Sequence, residues 1–298
     1  MRTITGIAGE NPEALHYKVF TVKRQDLNCD PNMPAVPENL KWVVNTATLI
    51  YGEKDAVLVD MFMTVEQARS LVEAITATKL NLKYIYVTHS HGDHFFGLQM
   101  LLDRFPKAKP ISTPAIAHDM AETGKPETLE NNWDRLFSGQ IPDRISFPQA
   151  LEANSFNLEG YTIQVIDTEF TDTRHSTSIY VPCIGLLVAG DIVYDGIHPD
   201  MAETTKQTRA EWIAALDELA SLHPKVAVAG HKNPDHSDSP DNIAATKKYL
   251  ADFERLNNET ASAKELFDKM FALYSQHANP GSLWGAATRA KQQDQPPA

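Results

Sequence analysis

Short apolar segments recur along the 298-residue chain and alternate with amphipathic ones. Runs rich in β-branched and aromatic residues predict strands over residues 15–22, 42–51, 55–60 and 84–87. The first of these alternates only weakly and is predicted to be an edge strand. Between the last two, apolar residues at helical spacing predict a helix over residues 64–78, with Thr64 as its N-cap.

The rest of the chain continues this alternation of strands and helices. Predicted strands cover residues 155–158, 161–167, 177–181, 185–189 and 225–229. Predicted helices cover residues 93–104, 115–122, 208–222, 240–256 and 261–274. Elements in this order form a sheet flanked by helices, which is the α/β class. No linker interrupts the pattern, so residues 1–291 are predicted to form one domain and the Pro/Gln/Ala-rich residues 292–298 a disordered tail.

The polar segment over residues 125–140 carries three large apolar side chains at positions i, i+3 and i+4: Trp133, Leu136 and Phe137. This spacing predicts a helix that packs on its own domain. The alternative is a lid whose aromatic side chains line a substrate pocket.

The segment Thr-His-Ser-His-Gly-Asp-His over residues 88–94 directly follows a predicted buried strand. Imidazole and carboxylate together suit Zn²⁺ or another first-row divalent ion. His89 and His91 are two residues apart, so both side chains can point the same way from an extended backbone. Asp93 and His94 follow the bend at Gly92 and can face a second ion. The segment therefore predicts two metal sites.

This segment resembles the signature of the metallo-β-lactamase superfamily, and further ligand positions follow in the order typical of that family. His175 lies in Asp-Thr-Arg-His-Ser, Asp191 in Leu-Val-Ala-Gly-Asp, and His231 in Val-Ala-Gly-His. The resemblance implies the four-layer αββα sandwich of that family. It also implies two metal ions, most simply Zn²⁺, held by His89, His91 and His175 at one site, by Asp93, His94 and His231 at the other, and bridged by Asp191.

The resemblance further implies a dinuclear hydrolase in which a hydroxide shared by the two ions cleaves a lactone or other carboxylic ester. Asp93 is expected to orient the hydroxide and accept its proton. Tyr194, three residues beyond Asp191, is expected either to donate a hydrogen bond to the substrate carbonyl or to be a packed aromatic. An aspartate at position 191 is typical of glyoxalase II and the lactonases, whereas many β-lactamases carry cysteine there.

Three alternatives stay open within the same resemblance: a thioesterase of glyoxalase II type, a β-lactamase, and an iron-dependent redox member of the superfamily. The usual Gly-His-Thr around the third histidine is replaced by Arg174-His175-Ser176. The usual Gly-His-Gly is replaced by Gly230-His231-Lys232. Both changes alter the pocket rim. Lys232 and His198 lie close to predicted ligands in the sequence, and each is either a substrate contact or a solvated loop residue. Asp60, which ends a predicted strand, is either a prop for the metal loop or a turn residue.

Composition narrows the set of partners to a small-molecule substrate. A net charge of −12 argues against nucleic acid, whose phosphates would be repelled. No apolar run reaches the ~18 residues of a membrane span, and the N-terminal segment lacks the apolar core of a secretory signal, so a cytoplasmic protein is expected. A homo-oligomer stays open. The two cysteines form no disulfide framework, and Cys183, in a strand-like segment, is predicted to be a buried free thiol.

Overall fold

The computed structural model describes residues 2–6, 15–25, 30–133 and 136–293. Its strands are β1 (Arg2–Gly6), β2 (His16–Gln25), β3 (Trp42–Tyr51), β4 (Asp55–Val59), β5 (Asn81–Tyr86), β6 (Lys109–Ser112), β7 (Gln149–Ala150), β8 (Ser155–Leu158), β9 (Tyr161–Phe170), β10 (Arg174–Val181), β11 (Leu186–Asp195) and β12 (Val226–Lys232). Its α-helices are α1 (Val65–Thr78), α2 (Leu98–Arg104), α3 (Pro114–Thr123), α4 (Pro126–Thr128), α5 (Lys206–Ser221), α6 (Asp241–Glu259), α7 (Ala263–Leu273) and α8 (Pro280–Gln293).

The strands pair continuously in the order β7-β6-β5-β4-β3-β12-β11-β10-β9-β8, with β2 between β1 and β3. At the middle of this order, β3 and β12 are antiparallel and His231 lies opposite Asn45. The first half of the chain therefore supplies one half of the sheet, and the second half supplies the other. The predicted edge strand is longer than expected and is not an edge, because β1 covers it.

Apolar side chains divide the molecule into four layers. One buried cluster joins the inner faces of the two sheet halves, and in it the rings of Tyr86 and Phe156 stack with centroids 6.1 Å apart. A second cluster lies between the first sheet half and helices α1–α3. A third lies between the second sheet half and helices α5–α8, around the buried Trp212. The αββα sandwich is thereby confirmed.

Local sequence signals account for most helix boundaries. Helix α1 begins with a capping box in which the Thr64 hydroxyl accepts from the Gln67 amide, as the predicted N-cap requires. The predicted helix over residues 93–104 is instead a 3₁₀ turn, Gly92–His94, followed by α2. Helix α8 was not predicted, because its two glycines and its N-terminal proline lower its helix propensity. Its buried face contributes Leu283 and Trp284 to the third cluster.

Three further predictions concern the cysteines, the C-terminal tail and membrane spans. Cys183 is exposed in the turn between β10 and β11, so the prediction of a buried thiol is wrong. Cys29 lies outside the described residues. The chain is still helical at Gln293, within the predicted tail, and residues 294–298 are not among those described. Over the described ranges, no helix is both long enough and apolar enough to cross a bilayer.

Candidate metal centre

Asp60 fixes the loop that follows β5. At the end of β4 it has a φ of +58°, which an aspartate tolerates better than most residues. Its two carboxylate oxygens accept hydrogen bonds from the amide and the hydroxyl of Thr88, each at 2.8 Å. The same carboxylate lies 3.1 Å from Nδ1 of His94. Of the two roles left open for Asp60, the structure therefore supports that of a prop for this loop.

Three histidines of the centre, two on the loop after β5 and one on β12, are each oriented through the ring nitrogen Nδ1. Nδ1 of His89 lies 2.9 Å from the Thr88 hydroxyl, Nδ1 of His94 faces Asp60, and Nδ1 of His231 lies 3.0 Å from the Val44 carbonyl. Protonation of Nδ1 satisfies each of these contacts and leaves Nε2 with a free lone pair. Such orienting contacts are typical of histidines that bind metals.

The free ring nitrogens and carboxylates converge in two groups. In the first, one ligand atom from each member lies within 4.8 Å of the others, and the members are His89, His91, Asp172 and Asp191. The second group meets the same criterion and consists of Asp93, His94 and His231. The structure thus brings together six of the seven sequence-predicted ligands.

Asp191 lies between the two groups. Its Oδ1 is 3.2 Å from Nε2 of His94, and its Oδ2 is 2.9 Å from Nε2 of His231 and 3.8 Å from Nε2 of His89. One carboxylate therefore contacts ligand atoms of both groups. This placement depends on Gly230, because a Cβ at that position would collide with the Asp191 carboxylate.

His175 is the predicted ligand that the structure does not bring to either group. A β-bulge between Arg174 and Ser176 places His175 at a φ of +56°, and its Nδ1 lies 2.7 Å from an Asp119 carboxylate oxygen on α3. Asp172 takes the expected position instead, with Oδ2 3.0 Å from Nδ1 of His91. The sequence offered one signal for Asp172, namely that it is an acidic residue, and hence a possible ligand, three positions before His175.

Several buried polar atoms in the centre have no hydrogen-bond partner among the described residues. They are Nε2 of His89, Nε2 of His94, Oδ2 of Asp172 and Oδ1 of Asp191. Buried polar atoms without a hydrogen bond are costly, and cations that accepted the lone pairs of these atoms would offset that cost. Imidazole nitrogens and carboxylate oxygens without any thiolate match the ligand preferences of first-row divalent cations. These residues therefore fit metal ions.

The neighbouring cationic groups lower the pKa values of two acids of the centre, Asp191 and Asp93. Burial raises the pKa of Asp191, but His231 and His94 outweigh burial and hold that pKa well below its ordinary value. Burial acts on Asp93 in the same sense, and His94, His231 and Arg24 reverse it and lower its pKa. Ionised carboxylates are the form that binds metals, so no proton has to leave them first.

Tyr194 contacts the centre through Asp191. Its hydroxyl donates a hydrogen bond of 3.0 Å to Oδ2 of Asp191, and its ring stacks on that of His231 with centroids 5.5 Å apart. Burial and the Asp191 charge raise its pKa well above the ordinary tyrosine value, so the phenol stays protonated. Tyr194 is thus both packed and hydrogen-bonded at the centre.

A cavity of about 200 Å³ opens beside the two groups, and Tyr194 and Trp133 lie in its wall. Trp133 ends a short π-helical turn, Leu129–Trp133, and its ring meets Phe96 edge-on and stacks on Phe137. Residues 134–135 of this segment lie outside the described part. Trp133 thus packs on its own domain, as the first hypothesis for this segment required. It also lines the pocket, as the lid hypothesis required.

Lys232 and His198, whose roles the sequence left open, are buried away from the cavity wall. The Lys232 ammonium pairs with Asp238, and Nδ1 of His198 lies 2.7 Å from the Tyr249 hydroxyl. Neither is a solvated loop residue. Sequence analysis also missed Arg24, because an arginine on an amphipathic strand carries no signal of its own.

Two sheet halves with helices outside and two adjacent His/Asp groups at one edge define the class of metal-dependent hydrolases of the αββα type. The chain belongs to the metallo-beta-lactamase superfamily, whose sequence model matches residues 40–231. Among solved structures, a metallo-beta-lactamase family protein from Thermus thermophilus superimposes with a TM-score of 0.62 and 21% identity, covering 90% of this chain and 91% of that one. At this identity the superposition shows the fold alone.

Curated relatives named hydroxyacylglutathione hydrolase match parts of the chain. One from Francisella tularensis subsp. novicida (strain U112) is 32% identical over 74 residues, which are 23% of this chain and 28% of the relative. Another from Actinobacillus pleuropneumoniae serotype 3 (strain JL03) is 24% identical over 170 residues, 57% of this chain and 56% of the relative. The chain thus spans less than two thirds of the length of these relatives.

Proposed function

We propose that the protein is a hydrolase that uses two divalent metal ions, most simply Zn²⁺, to cleave a lactone or other carboxylic ester. The observation that carries the proposal is the position of the Asp191 carboxylate, which contacts ligand atoms of both groups. One ion would be held by His89, His91 and Asp172, the other by Asp93, His94 and His231, with Asp191 shared. Asp172 thereby replaces His175 in the ligand set inferred from the resemblance.

When bound, such ions activate water at neutral pH and polarise a carbonyl oxygen. The protein's own groups determine where the reaction takes place. Asp93 borders the cavity as an ionised carboxylate and is placed to orient a water molecule by accepting a hydrogen bond from it. Tyr194 also borders the cavity and holds Asp191 in place through its hydroxyl proton. Trp133 and Val43 supply apolar wall next to the reacting group.

A thioester is the second candidate substrate, and the hydroxyacylglutathione hydrolases among the relatives favour it. Recognition of glutathione needs free cationic groups. Lys247 and Lys248 form the close basic pair of the C-terminal helices, but they are ion-paired with Asp217 and Asp252 respectively. The helices therefore offer no free basic pair at these positions, and the ester hypothesis stays ahead.

The proposal is tested with purified protein that is stripped of metal and reloaded with Zn²⁺, Mn²⁺ or Fe²⁺. Metal content and turnover of lactones, aryl esters, thioesters and β-lactams are measured together. Asp191→Ala is expected to lower bound metal below two ions per chain and to lower kcat/KM by more than about 100-fold, since even outer-shell changes cost 10- to 100-fold.

Asp195→Asn is the matched control, because Asp195 lies on the same strand and outside both groups. It is expected to retain both metal and turnover. Two bound ions and unchanged turnover in Asp191→Ala would contradict the shared carboxylate. A loaded wild-type protein that hydrolyses none of the four classes would contradict the proposed activity.

A further inference from the structure

The wall of the cavity beside the metal centre carries one arginine and several acidic side chains. Arg24 lines it, and so do the carboxylates of Asp200 and Glu203 in addition to those of the metal centre. Among the described residues, no other lysine or arginine reaches this wall. Lys232, the cation nearest to the ligands in sequence, is buried and neutralised by Asp238. Within the described part of the chain, Arg24 is thus the only arginine or lysine side chain that a ligand in this cavity meets.

Arg24 is held in position by its backbone and by an aromatic ring. It lies near the end of β2, opposite Val43 in the register with β3. The guanidinium carbon lies 5.5 Å from the centroid of the Phe137 ring. A cation–π contact of this kind helps to position the guanidinium and uses none of its N–H donors.

The protein's own acceptors engage only part of the N–H donors of Arg24. One Nη nitrogen contacts Oδ2 of Asp93 at 3.3 Å, which is long for a charge-assisted bond. Asp93 Oδ2 accepts a shorter bond of 2.9 Å from Nδ2 of Asn45. The buried Nε of Arg24 has no partner among the described residues. A guanidinium has five N–H donors, so several remain for a ligand.

Asp93 is shared between Arg24 and the second group of metal ligands. Its Oδ2 also lies 3.7 Å from Nε2 of His231. A cation held by that group would draw on the same carboxylate, and Asp93 would then neutralise the charge of Arg24 less completely. The planar fork of arginine matches a carboxylate with two parallel hydrogen bonds.

We propose that Arg24 binds a carboxylate of the substrate, which makes the substrate an ester, lactone or thioester with an anionic group a few bonds from the reacting acyl carbon. The proposal rests on the proposed function and names its substrate class. Asp200 and Glu203 repel an anion from their part of the wall, so Arg24 is the side chain of the wall that favours the carboxylate, and this contact orients the substrate. A local cation is needed because the chain as a whole carries a net charge of −12.

The test uses two aryl esters of the same length. Mono-4-nitrophenyl glutarate carries a terminal carboxylate, and 4-nitrophenyl pentanoate carries a methyl group in its place. The metal-loaded wild-type protein is expected to prefer the glutarate ester in kcat/KM, mainly through a lower KM. Binding of free glutarate and of pentanamide is measured by calorimetry as a readout that needs no turnover.

Arg24→Gln removes the charge, and Arg24→Lys keeps the charge but loses the planar fork. We expect Arg24→Gln to lower the preference for the glutarate ester and the affinity for glutarate by about 10- to 100-fold, the range for a hydrogen-bonded ionic contact. Arg24→Lys is expected to restore part of both. Metal content and thermal unfolding are recorded for each variant, so that loss of fold is recognised.

Lys23→Gln is the matched control. It removes the same charge one residue earlier on the same strand, where the ammonium lies 4.3 Å from the Trp42 ring centroid and outside the cavity wall. The glutarate preference is expected to survive this change. An equal loss in Lys23→Gln would mean that only overall charge matters, and the inference would be overturned.

Two further outcomes separate this inference from the proposed function. If Arg24→Gln lowers turnover of both esters by the same factor and leaves glutarate affinity unchanged, Arg24 only positions Asp93 and no anion site exists. If the wild-type protein hydrolyses neither ester but binds glutarate more tightly than pentanamide, and Arg24→Gln abolishes the difference, the anion site stands and the hydrolase proposal fails.

Discussion

Oδ2 of Asp172 lies 3.0 Å from Nδ1 of His91, at the position where the resemblance placed an imidazole of His175. Asp172 is fully buried and its Oδ1 accepts a hydrogen bond of 2.9 Å from the Thr171 hydroxyl. His175 faces Asp119 and is more than a third exposed. A carboxylate from the segment before β10 therefore completes the first group.

This arrangement predicts opposite results for two neighbouring substitutions. Asp172→Ala is expected to weaken metal binding at the first site by more than about 100-fold, because a ligand should matter more than the outer-shell contacts that cost 10- to 100-fold. His175→Ala is expected to retain two ions. Elemental analysis and titration with a chromophoric chelator measure both. Loss of an ion in His175→Ala with full loading of Asp172→Ala would restore the assignment drawn from the resemblance.

A second prediction concerns Asp60, which holds the metal loop without joining either group. Asp60→Asn keeps the shape and tolerates the left-handed backbone, but its amide cannot accept both hydrogen bonds from Thr88 and face His94 as well. We expect metal affinity to fall about 10- to 100-fold and unfolding free energy to fall by roughly 1–3 kcal/mol. Asp55→Asn, at the opposite end of β4, serves as the control. Unchanged metal affinity in Asp60→Asn would reduce Asp60 to a turn residue.

A third prediction concerns Tyr194, whose hydroxyl donates to Asp191. Tyr194→Phe removes this donor and keeps the ring that stacks on His231. Turnover is expected to fall by about 10- to 100-fold while metal content stays near that of the wild type. Tyr180→Phe, which removes a hydroxyl that donates to the Leu222 carbonyl on another part of the fold, is expected to change neither. A wild-type rate in Tyr194→Phe would remove Tyr194 from the catalytic machinery.

A fourth prediction concerns two histidines outside the metal centre. Burial, with a smaller contribution from His236, lowers the pKa of His277 to about 4, and burial lowers the pKa of His198 well below its ordinary value. Tyr249 and Tyr274, both neutral at acidic pH, are the other titratable groups against these rings. Below pH ~6.5 these two histidines therefore bind protons in the unfolded chain but not in the folded protein. Stability is expected to be full above that pH and to fall as pH drops toward 4.

His277→Gln isolates this effect when the protein has been stripped of metal. Otherwise the loss of bound ions at acidic pH would also lower the stability and mask the effect. Between pH 7.5 and 4.5, the wild type is expected to lose roughly 2 kcal/mol more unfolding free energy than the variant. Urea unfolding at the two pH values measures the difference. His118→Gln, an exposed histidine on α3, should follow the wild type. Parallel pH profiles for the wild type and His277→Gln would show that His277 titrates normally.

Most strands and helices were predictable because their apolar periodicity is a local property of the chain, and the N-cap at Thr64 was found with them. The short strands β1, β6 and β7 were not predicted. The turn after β5 was found from its cluster of histidine and aspartate. Helix α8 escaped prediction, since its helix propensity is low and only packing of Leu283 and Trp284 against the rest of the third cluster stabilises it.

By itself, the sequence determined the family, the layered fold and six of the seven residues that converge in the two groups, because a compact motif and evenly spaced apolar faces depend on neighbouring residues. Only the tertiary structure decided that Asp172 and not His175 joins the first group, since a β-bulge and a left-handed residue leave no mark in residue type. The same holds for Arg24, which is 69 residues from Asp93 in the chain and reaches it only through the pairing of β2 with β3. Contacts between distant segments depend on strand register and helix packing, and these are set by the whole core at once.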